Sequence, residues 1–205
     1  FAQHLQDIAE YFELPIRENT DVKAIVKEQD LFHLETEEGT LFAANVIWAA
    51  GEYQYPRMDG FLGSELCRHT ATVASYGNLE GDDFLIIGGS ESGVDAAYHL
   101  SNRNKRVRLF DINAPWDVAT SDPSVTLSTY SFERMRNTNF EQNTELFPET
   151  PVASVTLVNG VYEVKTEDGQ TFQSEVPPLL AGGFDGSHKF VSHLFEERED
   201  GFPSL

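Results

Sequence analysis

The stretch DFLIIGGSESGVDAAYHL, residues 83–100, decides the fold. Asp83 to Ile87 ends in a short unbroken apolar run, the pattern of a buried parallel strand. Gly88-Gly89-Ser90-Glu91-Ser92-Gly93 interrupts it. Val94, Ala97, Tyr98 and Leu100 then fall at near-helical spacing, which predicts a helix to about Asn102. Arg106 to Phe110 alternates basic and apolar residues and reads as a second strand ending at Asp111. Strand, glycine-rich turn, helix and strand are the opening of a βαβ unit.

A dinucleotide pyrophosphate needs such an arrangement: a tight turn, a backbone it can approach, and a helix N-terminus aimed at it. Gly88 suits the tight turn, and Gly93 suits close packing of helix on strand. Ser90 takes the middle position of G-x-G-x-x-G, where a small residue still admits a phosphate and its hydroxyl can donate to it. Gly89, Glu91 and Ser92 complete the candidate cofactor-binding turn. Asp111 sits where an acid would bind the ribose 2′-OH and repel a 2′-phosphate, which favours NAD over NADP. The nearby Arg103, Lys105, Arg106 and Arg108 keep NADP open. A turn that only packs tightly, with Asp111 as a strand-end turn residue, is the plainer alternative.

Outward from this unit the chain repeats itself. Val22 to Gly39 reads VKAIVKEQDLFHLETEEG, and Val152 to Gly169 reads VASVTLVNGVYEVKTEDG. Val22 matches Val152, Phe32 matches Tyr162 and Leu34 matches Val164; Glu37-Glu38-Gly39 matches Glu167-Asp168-Gly169. Both copies alternate apolar and polar residues between turn signals, which predicts two β-meanders. Each is followed by an apolar stretch read as a strand: VIWAAGE, Val46 to Glu52, and PPLLAGGFD, Pro177 to Asp185. Their small residues, Ala49-Ala50-Gly51 and Ala181-Gly182-Gly183, would let a cofactor or a crossing chain approach the strand ends, so they join the candidate binding set; ordinary close packing is the alternative. Residues 2–13 read as a helix with Leu5, Ile8, Ala9 and Phe12 on one face. Asn113 to Leu127 reads as loop, and Thr129 to about Asn139 as a helix capped by Ser128 or Thr129.

The remaining composition excludes several classes. The 205 residues are enough to bury a core without a metal or disulfide staple. Lys plus Arg is 14 and Asp plus Glu is 34, a net charge of −20, which repels nucleic acid and anionic membranes. No run approaches the roughly 18 apolar residues of a membrane span. One cysteine, Cys67, excludes an intrachain disulfide, a CxxC pair and a cysteine-built zinc site, and reads as a small buried hydrophobe. His4, His33, His69, His99, His188 and His193 show no metal spacing, and no G-x-S-x-G is present. Glu91 and Asp95 at a helix start favour the helix dipole rather than form a catalytic pair. Glu196 to Asp200 reads as a solvated acidic face. No secretory signature is visible, so a cytoplasmic setting is expected.

The order of these pieces, meander, Ala-Ala-Gly, inserted Rossmann unit, meander, Ala-Gly-Gly, resembles the FAD-dependent pyridine-nucleotide oxidoreductases with two dinucleotide domains. In that superfamily strand-end A-T-G motifs mark crossings between the FAD domain and the inserted NAD(P)H domain; here Ala50 and Gly182 stand at the Thr position. Phe184-Asp185 resembles the A-T-G-F-D of flavin monooxygenase-like members. Phe61-Leu62-Gly63 followed by His69-Thr70 resembles their F-x-G-x-x-x-H, with a gap two residues longer. Asp122-Pro123-Ser124 with Leu127-Ser128 is similar to a segment of a bacterial monooxygenase-like subgroup. The resemblance implies an α/β chain: residues 1–52 from an FAD domain with its meander, 53–183 an inserted Rossmann-like NAD(P)H-binding domain with the second meander, and 184–205 a return toward the FAD domain. It implies a central piece, starting at Phe1, of a longer FAD protein, inactive alone, in which NAD(P)H passes hydride to flavin with no side chain needed as acid or base. A small-molecule substrate or electron acceptor is the expected partner, and the reading allows a homodimer. A flavoprotein disulfide or quinone reductase, and a dinucleotide-binding module without turnover, are the rival readings.

Overall fold

The computed structural model describes residues 2–118, 120, 122, 125–198 and 203–204. It divides into two compact units, Phe1–Gly51 with Gly186–Leu205, and Glu52–Asp185. Of the features named above, Phe1, Pro123, Ser124 and the end of the acidic segment at 199–200 lie outside the described residues.

In the first unit, helix α1 (Ala2–Tyr11) precedes an antiparallel meander of β1 (Val22–Glu28), β2 (Leu31–Thr36) and β3 (Gly39–Ala43). The second unit begins with β4 (Arg68–His69) and β5 (Asp83–Ile87), continues through α2 (Glu91–Ser101) and β6 (Arg106–Phe110), then α3 (Thr129–Met135), α4 (Thr138–Asn143) and β7 (Thr144–Phe147). A second meander follows, β8 (Val152–Val158), β9 (Val161–Thr166) and β10 (Thr171–Ser174), and β11 (Leu179–Leu180) returns to the first sheet. Back in the first unit, β12 (Glu196–Glu197) pairs antiparallel with β13 (Pro203–Ser204).

The repeat holds in detail. Both meanders open with a register shift at the same place, between Val22 and Ala24 and between Val152 and Ser154, so each carries a bulge where the strand enters. Both first turns hold two residues, Gln29-Asp30 and Asn159-Gly160. The second has positive φ at both positions, the geometry that lets a hairpin follow the strand twist.

The parallel sheet of the second unit runs β4-β11-β5-β6-β7. Period-two alternation divides its side chains between two cores. Phe84, Ile86, Val107 and Leu109 join Val94, Ala97 and Leu100 of α2 and Phe140 of α4. Leu85, Ile87, Phe110 and Leu180 join Val155 and Val164 of the second meander. Helices, parallel sheet and meander therefore form three layers. Arg108, on the meander face, is 8% exposed; its guanidinium pairs with Asp83 (2.9 Å), donates to the Gln173 carbonyl and lies over the Phe172 ring, which accounts for a cation in this layer.

Three expectations need correction. Val46 to Glu52 is not a strand: residues 45–51 pair with no strand among the described residues, and a strand exists only by its ladder. Of Pro177 to Asp185 only Leu179–Leu180 pair as a named strand, and Gly183 then turns the chain at φ 75. The helix read over 129–139 is two helices. It stops at Arg136, and the Asn137 side chain accepts the Asn139 and Phe140 N–H groups and starts another.

Candidate functional site at the strand ends of the second unit

The registers place His69, Leu180, Ile87, Phe110 and Phe147 in one row across the sheet. The next residues, Thr70, Ala181, Gly88, Asp111 and Pro148, thus share its C-terminal edge. Strand order reverses between β5 and β11, since β6 follows on one side and β11 returns on the other. Ligands of open α/β sheets bind at this switch point.

Gly88 lies at φ 98, and a Cβ there would sit 2.5 Å from the Ala181 carbonyl oxygen. A Cβ on Gly93 would fall onto the Gly88 carbonyl oxygen and 2.9 Å from its carbon. The turn is thus a cradle that side chains would fill. Ser90 is the N-cap of α2 but makes no side-chain capping bond, and Ser90 and Ser92 are exposed. Exposed hydroxyls beside unpaired first-turn N–H groups suit a phosphate, so these residues fit a pyrophosphate.

Asp111 is 8% exposed, and its carboxylate already accepts three backbone bonds. The Gly89 N–H donates to Oδ2 (2.5 Å), and the Asn113 and Ala114 N–H groups donate to Oδ1 (2.8 and 2.7 Å). The strand-end turn role weighed in sequence is therefore real, and one lone-pair site remains for a ligand hydroxyl. The four basic residues near it in sequence stand elsewhere. Lys105 pairs with Asp82, Arg106 with Asp83 and Glu145, and Arg108 with Asp83, all toward the start of β6, while the Arg103 guanidinium donates to the His99 carbonyl. Glu91 turns to α3: its carboxylate accepts the Ser128 N–H and both the Ser128 and Ser131 hydroxyls. Burial works to raise this carboxyl, but those donors and Arg134 outweigh it and hold it below the usual range.

Ala181, Gly182 and Gly183 are half-buried beside the turn, where the Ala181 N–H donates to the Ile87 carbonyl (2.8 Å). Ala49, Ala50 and Gly51 belong to the first unit and are exposed; Gly51 has open space at its Cβ position. These three form no cradle of their own for a flavin.

His69, 2% exposed, accepts the Ala71 N–H at Nδ1 (3.1 Å), so its proton is on Nε2, which donates to the Gly183 carbonyl (3.0 Å). Its ring meets Phe184 edge-on. Beside it Tyr53, Thr70, Ala71, Tyr76, Ser92, Asp95 and Phe184 line a cleft of about 150 Å³. Burial lowers the His69 pKa, with the Gly183 bond opposing. The folded imidazole thus protonates below the unfolded value of about 6.5, and its contribution is complete above that pH and lost as pH falls through the folded pKa. His99, lowered by burial and then by Arg103, acts in the same direction. As pH falls below about 6.5 we expect the wild-type Tm to fall further than that of His69→Asn, read by thermal melts; parallel profiles would remove His69 from the pH response.

Sequence reasoning missed Trp116, Tyr53 and Tyr76, none of which lies in a periodic segment. The only signal was an aromatic after Pro115 in a loop following the strand-end acid. Cys67 is buried, and burial followed by Glu65 pushes its thiol up to about 12, the state of an inert thiol. Among the described residues no helix is long and apolar enough to cross a membrane.

Comparisons with known proteins fit this geometry. The model of a family described as pyridine nucleotide-disulphide oxidoreductase matches residues 1–205. An uncharacterized CzcO-like oxidoreductase of Geobacillus kaustophilus is 34% identical over 104 residues, 49% of this chain and 30% of that protein. The fold is similar to that of the bacillithiol disulfide reductase from Bacillus cereus, with TM-score 0.73 and 20% identity over 100% of this chain and 62% of that one. It is also similar to that of a flavin-containing monooxygenase from Stenotrophomonas maltophilia, with TM-score 0.71 and 16% identity over 99% of this chain and 62% of that one. The chain thus spans less than two thirds of these relatives' length.

Proposed function

The chain belongs to the pyridine nucleotide-disulphide oxidoreductase family, and from that membership we propose that residues 52–185 bind NAD(P)H in an FAD-dependent oxidoreductase, with NAD preferred. The observation that carries this reading is the cradle at the switch point, where Gly88 and Gly93 leave no room for a Cβ and Ser90 and Ser92 stand open. When bound, the nicotinamide supplies a hydride for the family's flavin. The chain's own residues bind and orient. Gly88 to Gly93 hold the phosphates, Asp111 lies on the adenosine side, and the cleft of Thr70, Ser92 and Phe184 lies on the nicotinamide side. Asp111 favours NAD because a 2′-phosphate would meet its carboxylate, and the nearby cations are committed toward the other end of β6.

Downstream, the reading is monooxygenase-like, with a small-molecule substrate or acceptor. It is preferred to a disulfide relay because Phe61-Leu62-Gly63 with His69-Thr70, and Phe184-Asp185, resemble flavin monooxygenase-like motifs, and because Cys67 itself is buried with its thiol pushed up to about 12. Calorimetric titration of the intact protein tests the nucleotide step. NADH is expected to bind at least about tenfold tighter than NADPH, a difference of ~1.4 kcal/mol. Equal or reversed affinities would overturn the NAD preference, and binding of neither would overturn the nucleotide reading.

A further inference from the structure

The connection from Asp111 to Ser131 grips the phosphate turn at both flanks. At its start, Asp111 accepts the Gly89 N–H, and the Trp116 Nε1–H donates to the Gly89 carbonyl (2.8 Å). Both polar groups of Gly89 are therefore held by residues 111–116. At its far end, Ser128 and Ser131 hold the Glu91 carboxylate. Between these anchors Ser90 is left exposed, with no capping bond of its own. The indole also fits Gly89 by shape: a Cβ there would lie 2.5 Å from Trp116 Cζ2 and 2.8 Å from Asp111 Cβ. Trp116 is 7% exposed and shares a buried cluster with Val94, Leu109 and Leu127.

We propose that Trp116 is a positioning residue for the nucleotide: through its indole N–H it fixes the Gly89 peptide so that the turn is already in its phosphate-binding conformation before ligand arrives. The proposal rests on the dinucleotide reading above and deepens it. The buried indole N–H is satisfied on the one carbonyl that orients the turn, so the same bond that pairs the indole also fixes the Gly89 peptide. A turn held by only one of its flanks would have to be ordered by the ligand, at the cost of affinity.

Trp116→Phe keeps the ring and loses the N–H. In the intact protein this variant is expected to weaken both NADH and ADP-ribose about tenfold by calorimetry, the effect of one lost preorganising hydrogen bond. Amide exchange at Gly89, whose N–H is held by Asp111, should rise while the hydrogen-bonded α2 amides from Val94 onward stay protected. Gly89→Ala approaches the same clamp from the other side, by displacing the indole, and should reproduce the loss even if Trp116→Phe folds poorly. Unchanged affinity in a folded variant of either kind overturns the proposal, as does an affinity loss with no change in exchange at the turn. If the unsubstituted protein binds neither NADH nor ADP-ribose, the dinucleotide reading itself fails and takes the proposal with it, an outcome visible before any variant is made.

Discussion

Gly93→Val is expected to abolish measurable NADH binding, a loss of at least about a hundredfold, or ~2.7 kcal/mol. The cause is local and steric. Gly93 stands in the first turn of α2, and its Cα faces the Gly88 carbonyl so closely that a Cβ would overlap the oxygen and lie 2.9 Å from the carbon, with Leu109 Cδ1 at 3.4 Å behind it. Both nearest atoms are backbone, so no side chain can swing aside. Gly88 itself sits at φ 98 against the Ala181 carbonyl, which leaves the turn little room to retreat. The helix start must therefore lift off the turn, and the first-turn N–H groups move away from where a phosphate would lie. Overpacking of this kind costs about 1–3 kcal/mol of stability. Gly93→Ala should already show much of the effect. Calorimetry and a thermal melt on the same samples check it; wild-type affinity in Gly93→Val would show that nucleotide does not use this turn.

Asp111→Ala carries the second large expectation, mainly in stability. Three backbone N–H groups lose their acceptor at once. A buried donor left unsatisfied costs about 1–3 kcal/mol. Gly89 is buried, whereas Asn113 is exposed and can recover water, so the total should be about 2–4 kcal/mol, or roughly 5–10 °C in Tm. NADH affinity should fall more than about tenfold, a difference above ~1.4 kcal/mol. NADPH should lose less than NADH, because deleting the carboxylate also removes its repulsion of a 2′-phosphate, although no cation is brought to that position. Asp111→Asn should rescue only part of the stability, since its amide must turn a donor toward one of the same N–H groups. A Tm change within about 2 °C for Asp111→Ala would mean that the carboxylate serves the ligand and not the fold.

Much of this was legible in the residues. The apolar run at 83–87 and the alternation at 106–110 mark β5 and β6 because burial on both faces leaves a continuous hydrophobic signal. The two meanders are visible because period-two alternation and acidic-glycine turns recur at the same offset; the bulge near each start emerges only from the strand registers. What escaped the reading is short or nonlocal. Arg68–His69 is a strand only because it lies beside Leu179–Leu180, more than a hundred residues away in sequence. Residues 46–52 have a strand's composition without a ladder to join. The break at Asn137 depends on a side chain choosing the backbone ahead of it over the solvent. At the site, glycines and the acid stood out by type and spacing. Trp116 did not, since its partner is a carbonyl 27 residues back and no periodicity reports such a bond.

The second unit also begins and ends on itself. The Arg57 N–H donates to the Gly183 carbonyl (3.0 Å), the Asp185 N–H donates to the Tyr55 carbonyl (2.8 Å), and Pro56 bridges Phe184 antiparallel. Its first and last residues are thus zipped together like the stem of a loop. For a chain that carries such an element, the whole of residues 52–185 is topologically a single excursion, entered and left at one point. Loss, gain or exchange of that cassette changes what the excursion binds without changing the span that the flanking chain must bridge, which makes it a natural unit of evolutionary shuffling.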